Sequence, residues 1–236
     1  MNFTNFYIST FTKFKQNAIK LITGALLFFV PLYIMSLAGD IGLVLMLIFG
    51  GYLMLCASRY FLKIVSGEII LLTDFFVFDK LKILSSLILG IVLVVFSGFW
   101  SIILVIPGVF VFSTLSMSFN IMVDQEINDP LECVKQSYAL TKNKIWQIVI
   151  ANLILIVLCV ALIIIFSKLI ILVSTAVWYV NVSFHLGGYL LIELLKLANM
   201  LIGLFLVCFM FTMQSVIYIN LNQETDINKY QNYEVR

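Results

Sequence analysis

The chain has 236 residues, of which 63% are apolar and 11% are charged, whereas a typical soluble domain has about 25% charged residues. Its mean hydropathy is +1.13, and exposed apolar surface on that scale would aggregate a soluble domain. The net charge of +2 is too small to indicate a nucleic-acid partner. The composition therefore predicts an all-α, polytopic membrane protein that has the lipid bilayer as its solvent.

Six apolar stretches are candidates for membrane-spanning helices. The hydrocarbon core is about 30 Å thick and a helix rises about 1.5 Å per residue, so one crossing needs roughly 20 apolar residues. We expect a tight turn at Gly39-Asp40 after the first span and a break at Pro107-Gly108 after the third. The expected spans are residues 21–38, 41–58, 83–106, 109–123, 145–166 and 194–219, all within a single membrane domain of residues 1–221.

Four other segments are expected to lie at the membrane surface. Aromatic residues recur at three- and four-residue steps in residues 2–18, which predicts an amphipathic helix in the headgroup region. Residues 60–82 are too polar to cross, and residues 168–190 are apolar but interrupted, which indicates an interfacial or re-entrant piece. The fourth segment is residues 129–143, and the polar residues 222–236 are expected to form a cytoplasmic tail.

The segment of residues 129–143 has the features of a short amphipathic helix. Asp129 is a suitable N-cap, and Pro130 then occupies the first helical position. Leu131, Val134 and Tyr138 follow on one face. We expect this apolar stripe to lie on the inner leaflet.

The basic residues predict the orientation, because cytoplasmic loops carry the excess of Lys and Arg. With six spans, twelve of the fourteen basic residues fall on one side, together with both termini. The sequence thus predicts a membrane protein with its N- and C-termini in the cytoplasm. The twelve are Lys13, Lys15, Lys20, Arg59, Lys63, Lys80, Lys82, Lys135, Lys142, Lys144, Lys229 and Arg236.

The central part of the chain has a series of short motifs, at residues 60–68, 73–76, 100–109, 124, 130–132 and 137–142. In their order and spacing they resemble a family of bacterial integral membrane proteins of unknown function, which is related to the membrane domain of some glycerophosphodiester phosphodiesterases. The chain departs from the family pattern at Lys144 and at residues 77–79. The resemblance implies a multi-span protein of the bacterial cytoplasmic membrane and no known reaction. The family-motif positions are Gly67, Glu68, Asp74, Pro107, Gly108, Pro130 and Ser137.

Six polar residues in or next to the spans are candidates for a ligand pathway. Glu193 and Lys196 stand three residues apart at the start of the last apolar run, where ionisable groups often mark a pathway. Their spacing places them on one helix face, where they could pair. The alternative, which we favour because residues 197–219 alone are long enough to cross, is that both lie in the outer interface. Asp124 ends the fourth span, either as a buried acceptor or where the helix leaves the lipid. Asn152, Asn199 and Gln214 either line a polar cavity or bridge neighbouring helices.

The sequence indicates no catalytic residues, no metal site and no cofactor. The one histidine, His185, excludes a multi-histidine metal site and a histidine-based triad. We therefore expect a non-enzymatic protein that binds a partner or scaffolds an envelope complex, the partner being another membrane protein or a cytoplasmic subunit. The alternative is a small permease or transporter subunit for a solute or lipid.

Overall fold

The computed structural model describes residues 3–103, 105–179 and 185–234, and the regular structure within these ranges is helical. Five of the described helices contain a stretch long and apolar enough to cross a membrane, namely α1, α2, α3, α7 and α8. The helices are α1 (Phe3–Ser36), α2 (Gly39–Ser66), α3 (Lys80–Ile103), α4 (Val105–Leu115), α5 (Ser118–Asp124), α6 (Pro130–Thr141), α7 (Ile145–Tyr179) and α8 (His185–Glu234), with a 3-10 turn over Leu72–Phe75.

The expected N-terminal surface helix and the first span form one helix, α1, which bends at Asn17, where φ is −123° and ψ is 21°. The hydroxyl of Tyr7 donates a hydrogen bond to the carbonyl oxygen of Ala151 in α7, at 2.9 Å. The buried ring of Phe14 packs edge-on against Phe205 in α8, with 5.2 Å between the ring centroids. These two members of the aromatic face therefore pack on neighbouring helices, where they are removed from solvent.

A turn at residues 37–38 joins α1 to α2, beside the Gly39-Asp40 pair at which we expect it. Gly39 has a φ of 60°, which glycine adopts without a steric penalty. Gly42 is required by the close return of the chain, because a Cβ at this position would lie 1.7 Å from the carbonyl oxygen of Met35.

The expected break at Pro107-Gly108 is wrong, since both residues lie inside α4. Proline is tolerated in the first turn of a helix, where its missing N–H has no helical acceptor. Helix α3 is described to Ile103 and α4 from Val105, and residue 104 lies outside the described residues. Helices α4 and α5 together replace the expected fourth span, with a turn at Ser116-Met117 between them, and neither alone is long enough to cross.

The last two long helices extend beyond the expected spans. Helix α7 continues through Lys168 to Tyr179, and α8 begins at His185, so most of the expected interfacial piece at 168–190 belongs to these two helices. Residues 180–184 of that piece lie outside the described residues. A single lysine does not end an apolar helix, because its long side chain can carry the charge away from the apolar surface.

The expected polar tail also differs, because α8 continues to Glu234. Residues 222–234 contain neither glycine nor proline. Extending an existing helix costs much less free energy than nucleating a new one, so a polar sequence without breakers can continue it.

The segment at residues 60–82 folds into the end of the bundle. Helix α2 extends to Ser66, and Tyr60 and Phe61 in its last turns are 3% and 0% exposed. Phe75, in the 3-10 turn, packs edge-on against Tyr60, with 5.6 Å between the ring centroids. Tyr60, Phe61 and Phe75 are therefore part of the packed interior, whereas Phe76 and Phe78 of the same segment are exposed.

Helix α6 has the N-terminus that the sequence predicts. The carboxylate of Asp129 accepts a hydrogen bond from the backbone N–H of Leu131 at 2.9 Å, and Pro130 is the first helical residue. The face that packs on the protein is the one carrying Cys133, Ser137 and Thr141, which are buried. Of the predicted apolar stripe, Leu131 and Tyr138 are 63% and 57% exposed and face away from the bundle, whereas Val134 packs against the core.

Aromatic rings fill the interior between α1, α2 and α8. Phe211 lies between Phe28 and Phe61, with ring centroids 5.0 Å and 5.2 Å away. Gly24 admits the ring of Tyr60, because a Cβ at Gly24 would lie 2.5 Å from the Cδ1 atom of Tyr60. The middle of this part of the bundle is consequently closed by packed side chains.

Candidate functional site

Two adjoining cavities lie at one end of the bundle, and we call them together the polar cleft. The Tyr218 cavity has a volume of about 440 Å³, and the Arg59 cavity one of about 280 Å³. Lys63, Val123 and Glu126 line both. The end of α2, the end of α5 and the beginning of α3 meet here, so the cleft lies at the end of the molecule that carries most of the loop lysines.

The Tyr218 cavity is closed on one side by a hydrogen bond between α8 and α5. The hydroxyl of Tyr218 donates to Oδ2 of Asp124 at 2.6 Å. Tyr218 is 1% exposed, whereas Asp124, the last residue of α5, is exposed. The carboxylate is thus held by a buried phenol while its other side faces the cavity.

A helix C-terminus shapes the wall that carries Lys63. Gly67, at a φ of 92°, ends α2, and the N–H groups of Gly67 and Glu68 donate to the carbonyl oxygens of Ile64 and Lys63. This left-handed glycine cap reverses the chain. It places the Glu68 carboxylate 3.7 Å from the Lys63 ammonium group and 3.2 Å from the Ser66 hydroxyl.

The Arg59 cavity contains a second ion pair, between Lys82 and Glu126 at 3.6 Å. Glu126 is in a left-handed conformation with a φ of 55°, which is uncommon for residues other than glycine. Asp79 accepts a hydrogen bond from the N–H of Leu81 at 2.9 Å, in the first turn of α3. Within the described part of the chain no carboxylate forms an ion pair with Arg59.

The structure places the six candidate pathway residues in separate surroundings. Asp124 lies in the polar cleft. Asn152 is buried and donates a hydrogen bond to the hydroxyl of Ser113 at 2.9 Å, so it bridges α7 and α4. Gln214 lies one helical turn from Tyr218 in α8 and is 3% exposed, and its amide nitrogen has no hydrogen-bond partner among the described residues. The amide oxygen of Asn199 is likewise buried without a partner in that part of the chain.

Glu193 and Lys196 lie far along α8 from the cleft residues Tyr218 and Gln223. Their charged atoms are 2.7 Å apart, and both side chains are more than half exposed. The two residues therefore pair with each other, as their spacing on one helix face allows. An exposed pair of this kind contributes little to stability, and it does not face either cavity of the cleft.

The family-motif positions outside the glycine cap have local structural roles. Asp74 accepts a hydrogen bond from the N–H of Leu71 at 3.0 Å in the 3-10 turn. Ser137 donates to the carbonyl oxygen of Thr114 and so joins α6 to α4. Pro130 begins α6, and Pro107 and Gly108 lie in the first turn of α4.

Sequence reasoning missed most of the cleft. Arg59 and Lys63 stand four residues apart at the end of the second apolar run, and this spacing places them on one helix face. The sequence therefore indicates that Arg59 and Lys63 share a face. It gives no comparable indication that Tyr218 belongs to the cleft, because a tyrosine near the end of a span is equally expected in an aromatic belt.

Within the described ranges no group of three His, Cys, Asp or Glu side chains is arranged to hold a metal ion. No protein-family model matches the chain, and neither curated proteins nor solved structures give a match.

Proposed function

We propose that this chain is a six-span protein of the bacterial cytoplasmic membrane that binds a partner at its cytoplasmic face and catalyses no reaction. Helices α4 and α5 together would supply the sixth crossing, since their 11 and 7 residues amount to about 27 Å of helix. Both termini and the polar cleft would then face the cytoplasm. The partner is another membrane protein or a cytoplasmic subunit. We also propose that the chain is related to the family of bacterial membrane proteins of unknown function that includes relatives of the membrane domain of some glycerophosphodiester phosphodiesterases.

One observation carries the proposal: the polar cleft opens at one end, and the interior behind it is filled. Phe211 lies two helical turns from Tyr218, and its ring packs against Phe28 and Phe61. A cleft that stops at packed rings suits binding at one face of the membrane better than passage through it. The mixed charges around the cleft suit a polar partner surface.

Site-specific photo-crosslinking in native membranes tests this proposal. A crosslinker at Gln223, an exposed residue that lines the cleft, is expected to capture one protein in stoichiometric amount. The matched control is a crosslinker at Leu37, which is 70% exposed at the opposite end. Equal capture at both positions would contradict partner binding at the cleft, and so would movement of a solute by the purified protein alone in liposomes.

A permease is the second candidate, and one specific observation favours it. Gln214 on α8 and Ser118 on α5 have buried polar atoms without a hydrogen-bond partner in the described part of the chain. Unsatisfied polar groups at membrane depth are costly and often mark a pathway. If the protein is a permease, Gln214→Leu will abolish uptake of the transported solute by proteoliposomes. Unchanged uptake in this variant would remove the support.

A further inference from the structure

Arg59 is the cation of the polar cleft whose charge is least compensated. It lies in the penultimate turn of α2 and is half-buried, and it lines the Arg59 cavity. The other cations there have nearby carboxylates: Lys82 pairs with Glu126 and Lys63 with Glu68. A half-buried guanidinium that faces an open volume without an ion pair is a ready site for an anion.

The carboxylates of the Arg59 cavity do not remove this excess of positive charge. The carboxylate of Glu126 is 3.6 Å from the ammonium group of Lys82. The carboxylate of Asp79 accepts a hydrogen bond from the backbone N–H of Leu81. The lining thus contains three cations, Arg59, Lys63 and Lys82, against these two carboxylates. The net charge of these lining residues is +1, and it becomes zero when Glu68, which pairs with Lys63 from the adjoining cavity, is included. The guanidinium of Arg59 remains without an ion pair in the described part of the chain, and it supplies several donors to a ligand in the cavity.

An exposed aromatic side chain lies at the rim of the same cavity, because Phe78 lines the cavity and is 81% exposed. Ile69 and Leu71, in the loop before the 3-10 turn, are 96% and 68% exposed and line neither cavity of the cleft. Apolar side chains next to cations are typical of a surface that lies at the boundary between lipid headgroups and acyl chains. A ligand on Arg59 would therefore have both a charged and an apolar neighbour.

We propose that the Arg59 cavity is a binding site for a phosphate group, with the guanidinium of Arg59 as its principal donor and Lys63 and Lys82 as flanking cations. A guanidinium matches phosphate oxygens in a bidentate geometry that an ammonium group cannot reproduce. A phospholipid headgroup and a soluble phosphate ester share this chemistry. They differ in that the phospholipid also has acyl chains, which can pack on the exposed Phe78 at the rim.

The inference goes beyond the proposed partner binding and does not require a protein partner, so purified protein is sufficient to test it. The protein is stripped of lipid in detergent and titrated with dihexanoyl phosphatidylglycerol, while the linewidth of the ³¹P signal is followed. Inorganic phosphate is titrated in a second arm. The variants are Arg59→Gln, Arg59→Lys and, as the matched control, Lys80→Gln, which removes an exposed cation outside the cavity.

We expect Arg59→Gln to weaken binding of the short-chain lipid by at least about tenfold, the loss of one charge-assisted interaction. Arg59→Lys keeps the charge and is expected to weaken it by a smaller factor, whereas Lys80→Gln leaves it unchanged. Competition by inorganic phosphate supports a site for soluble phosphates, and binding of the lipid alone supports a headgroup site. Equal affinity of Arg59→Gln, Arg59→Lys and the unmodified protein would overturn the proposal, as would binding of neither probe. A crosslinked partner would leave these results unaffected.

Discussion

At the scale of single residues, the hydrogen bond from Tyr218 to Asp124 joins two helices at the cleft. We predict that Tyr218→Phe lowers the free energy of unfolding by about 1–2 kcal/mol, because a buried hydroxyl that donates to a carboxylate is lost. Solvent reaches the other side of Asp124, and this limits the loss. Thermal unfolding in detergent, followed by intrinsic fluorescence, measures the change.

The control for this prediction is Tyr138→Phe, which removes the same hydroxyl from a side chain that is 57% exposed on α6. It is expected to leave the unfolding midpoint unchanged, since exposed substitutions usually have little effect. Equal stabilities of the Tyr218 and Tyr138 variants would show that the hydrogen bond at the cleft contributes nothing.

A second residue-scale prediction concerns Cys133, a buried residue of α6. Burial raises the pKa of its thiol to about 11, and the charges of Asp129 and Glu132 contribute in the same direction. The reactive thiolate is therefore scarce at neutral pH. At pH 7.5 we expect maleimide to modify Cys133 at least about 100-fold more slowly than an exposed thiol, which follows from a pKa difference of about two units.

The measurement is mass spectrometry of the labelled protein, with Asn143→Cys as the exposed reference in the next turn. The rate at Cys133 should keep rising as the pH increases from 7 to 9.5, because its thiol is still mostly protonated there. A labelling rate equal to that of the introduced cysteine would contradict the prediction, because it would mean that Cys133 is accessible and that the pKa of its thiol is not raised.

Residues with a local role were predictable, whereas residues with a long-range role were not. The N-cap at Asp129 follows from the Asp-Pro pair alone, since the capping bond joins residues two apart. The partner of Tyr218 is 94 residues away in sequence, and no periodicity indicates that pairing. For Arg59, the sequence indicates the position on a helix face. Its lack of an ion pair depends on how three separate segments pack together, which the sequence does not indicate.

At the scale of helices, α2 and α3 approach each other closely at two glycines, Gly51 and Gly90. A Cβ on Gly51 would lie 2.2 Å from the carbonyl oxygen of Ser86 and 3.1 Å from the Cα of Gly90. These are backbone atoms that cannot rotate away. We predict that Gly51→Ala forces the helices apart and lowers the free energy of unfolding by about 1–3 kcal/mol, the usual cost of overpacking, measured by thermal unfolding in detergent.

The neighbouring Gly50 provides a matched control, because a Cβ on it would meet nothing within 4 Å. Gly50→Ala is expected to keep the stability or raise it by up to about 1 kcal/mol, since alanine favours the helix more than glycine does. A stabilising effect of both substitutions would contradict the close contact between α2 and α3.

The apolar runs located the helices well, because about 20 apolar residues have few alternatives to a spanning helix. Their ends were less predictable. Pro107 suggested a break, yet it fits the first turn of α4, and the sequence alone does not say which turn of a helix a proline occupies. Lys168 suggested an end to the fifth span, but α7 continues beyond it to Tyr179, since one charge does not outweigh the surrounding apolar residues.

At the scale of the whole molecule, much of the helical surface has no protein neighbour. In the most apolar 18-residue stretch of Ile145–Val173, 28% of the residues are buried. In a small membrane protein the remaining surface faces lipid, or another protein in the bilayer. Composition predicted this feature, because a chain with 63% apolar residues cannot bury them all. The polar cleft, in contrast, arises from the meeting of α2, α3, α5 and α8, which composition does not indicate.

The central claim is that the end of the molecule with the polar cleft faces the cytoplasm, and cysteine accessibility in intact cells tests it most directly. A membrane-impermeant thiol reagent is applied to Asn143→Cys, at the basic end, and to Leu37→Cys, at the turn between α1 and α2. The unmodified protein provides a low background, because three of its four cysteines are buried. We predict that the cysteine at position 37 reacts in intact cells and that the one at position 143 reacts only after the cells are opened. The reverse pattern would place the cleft outside and contradict the account.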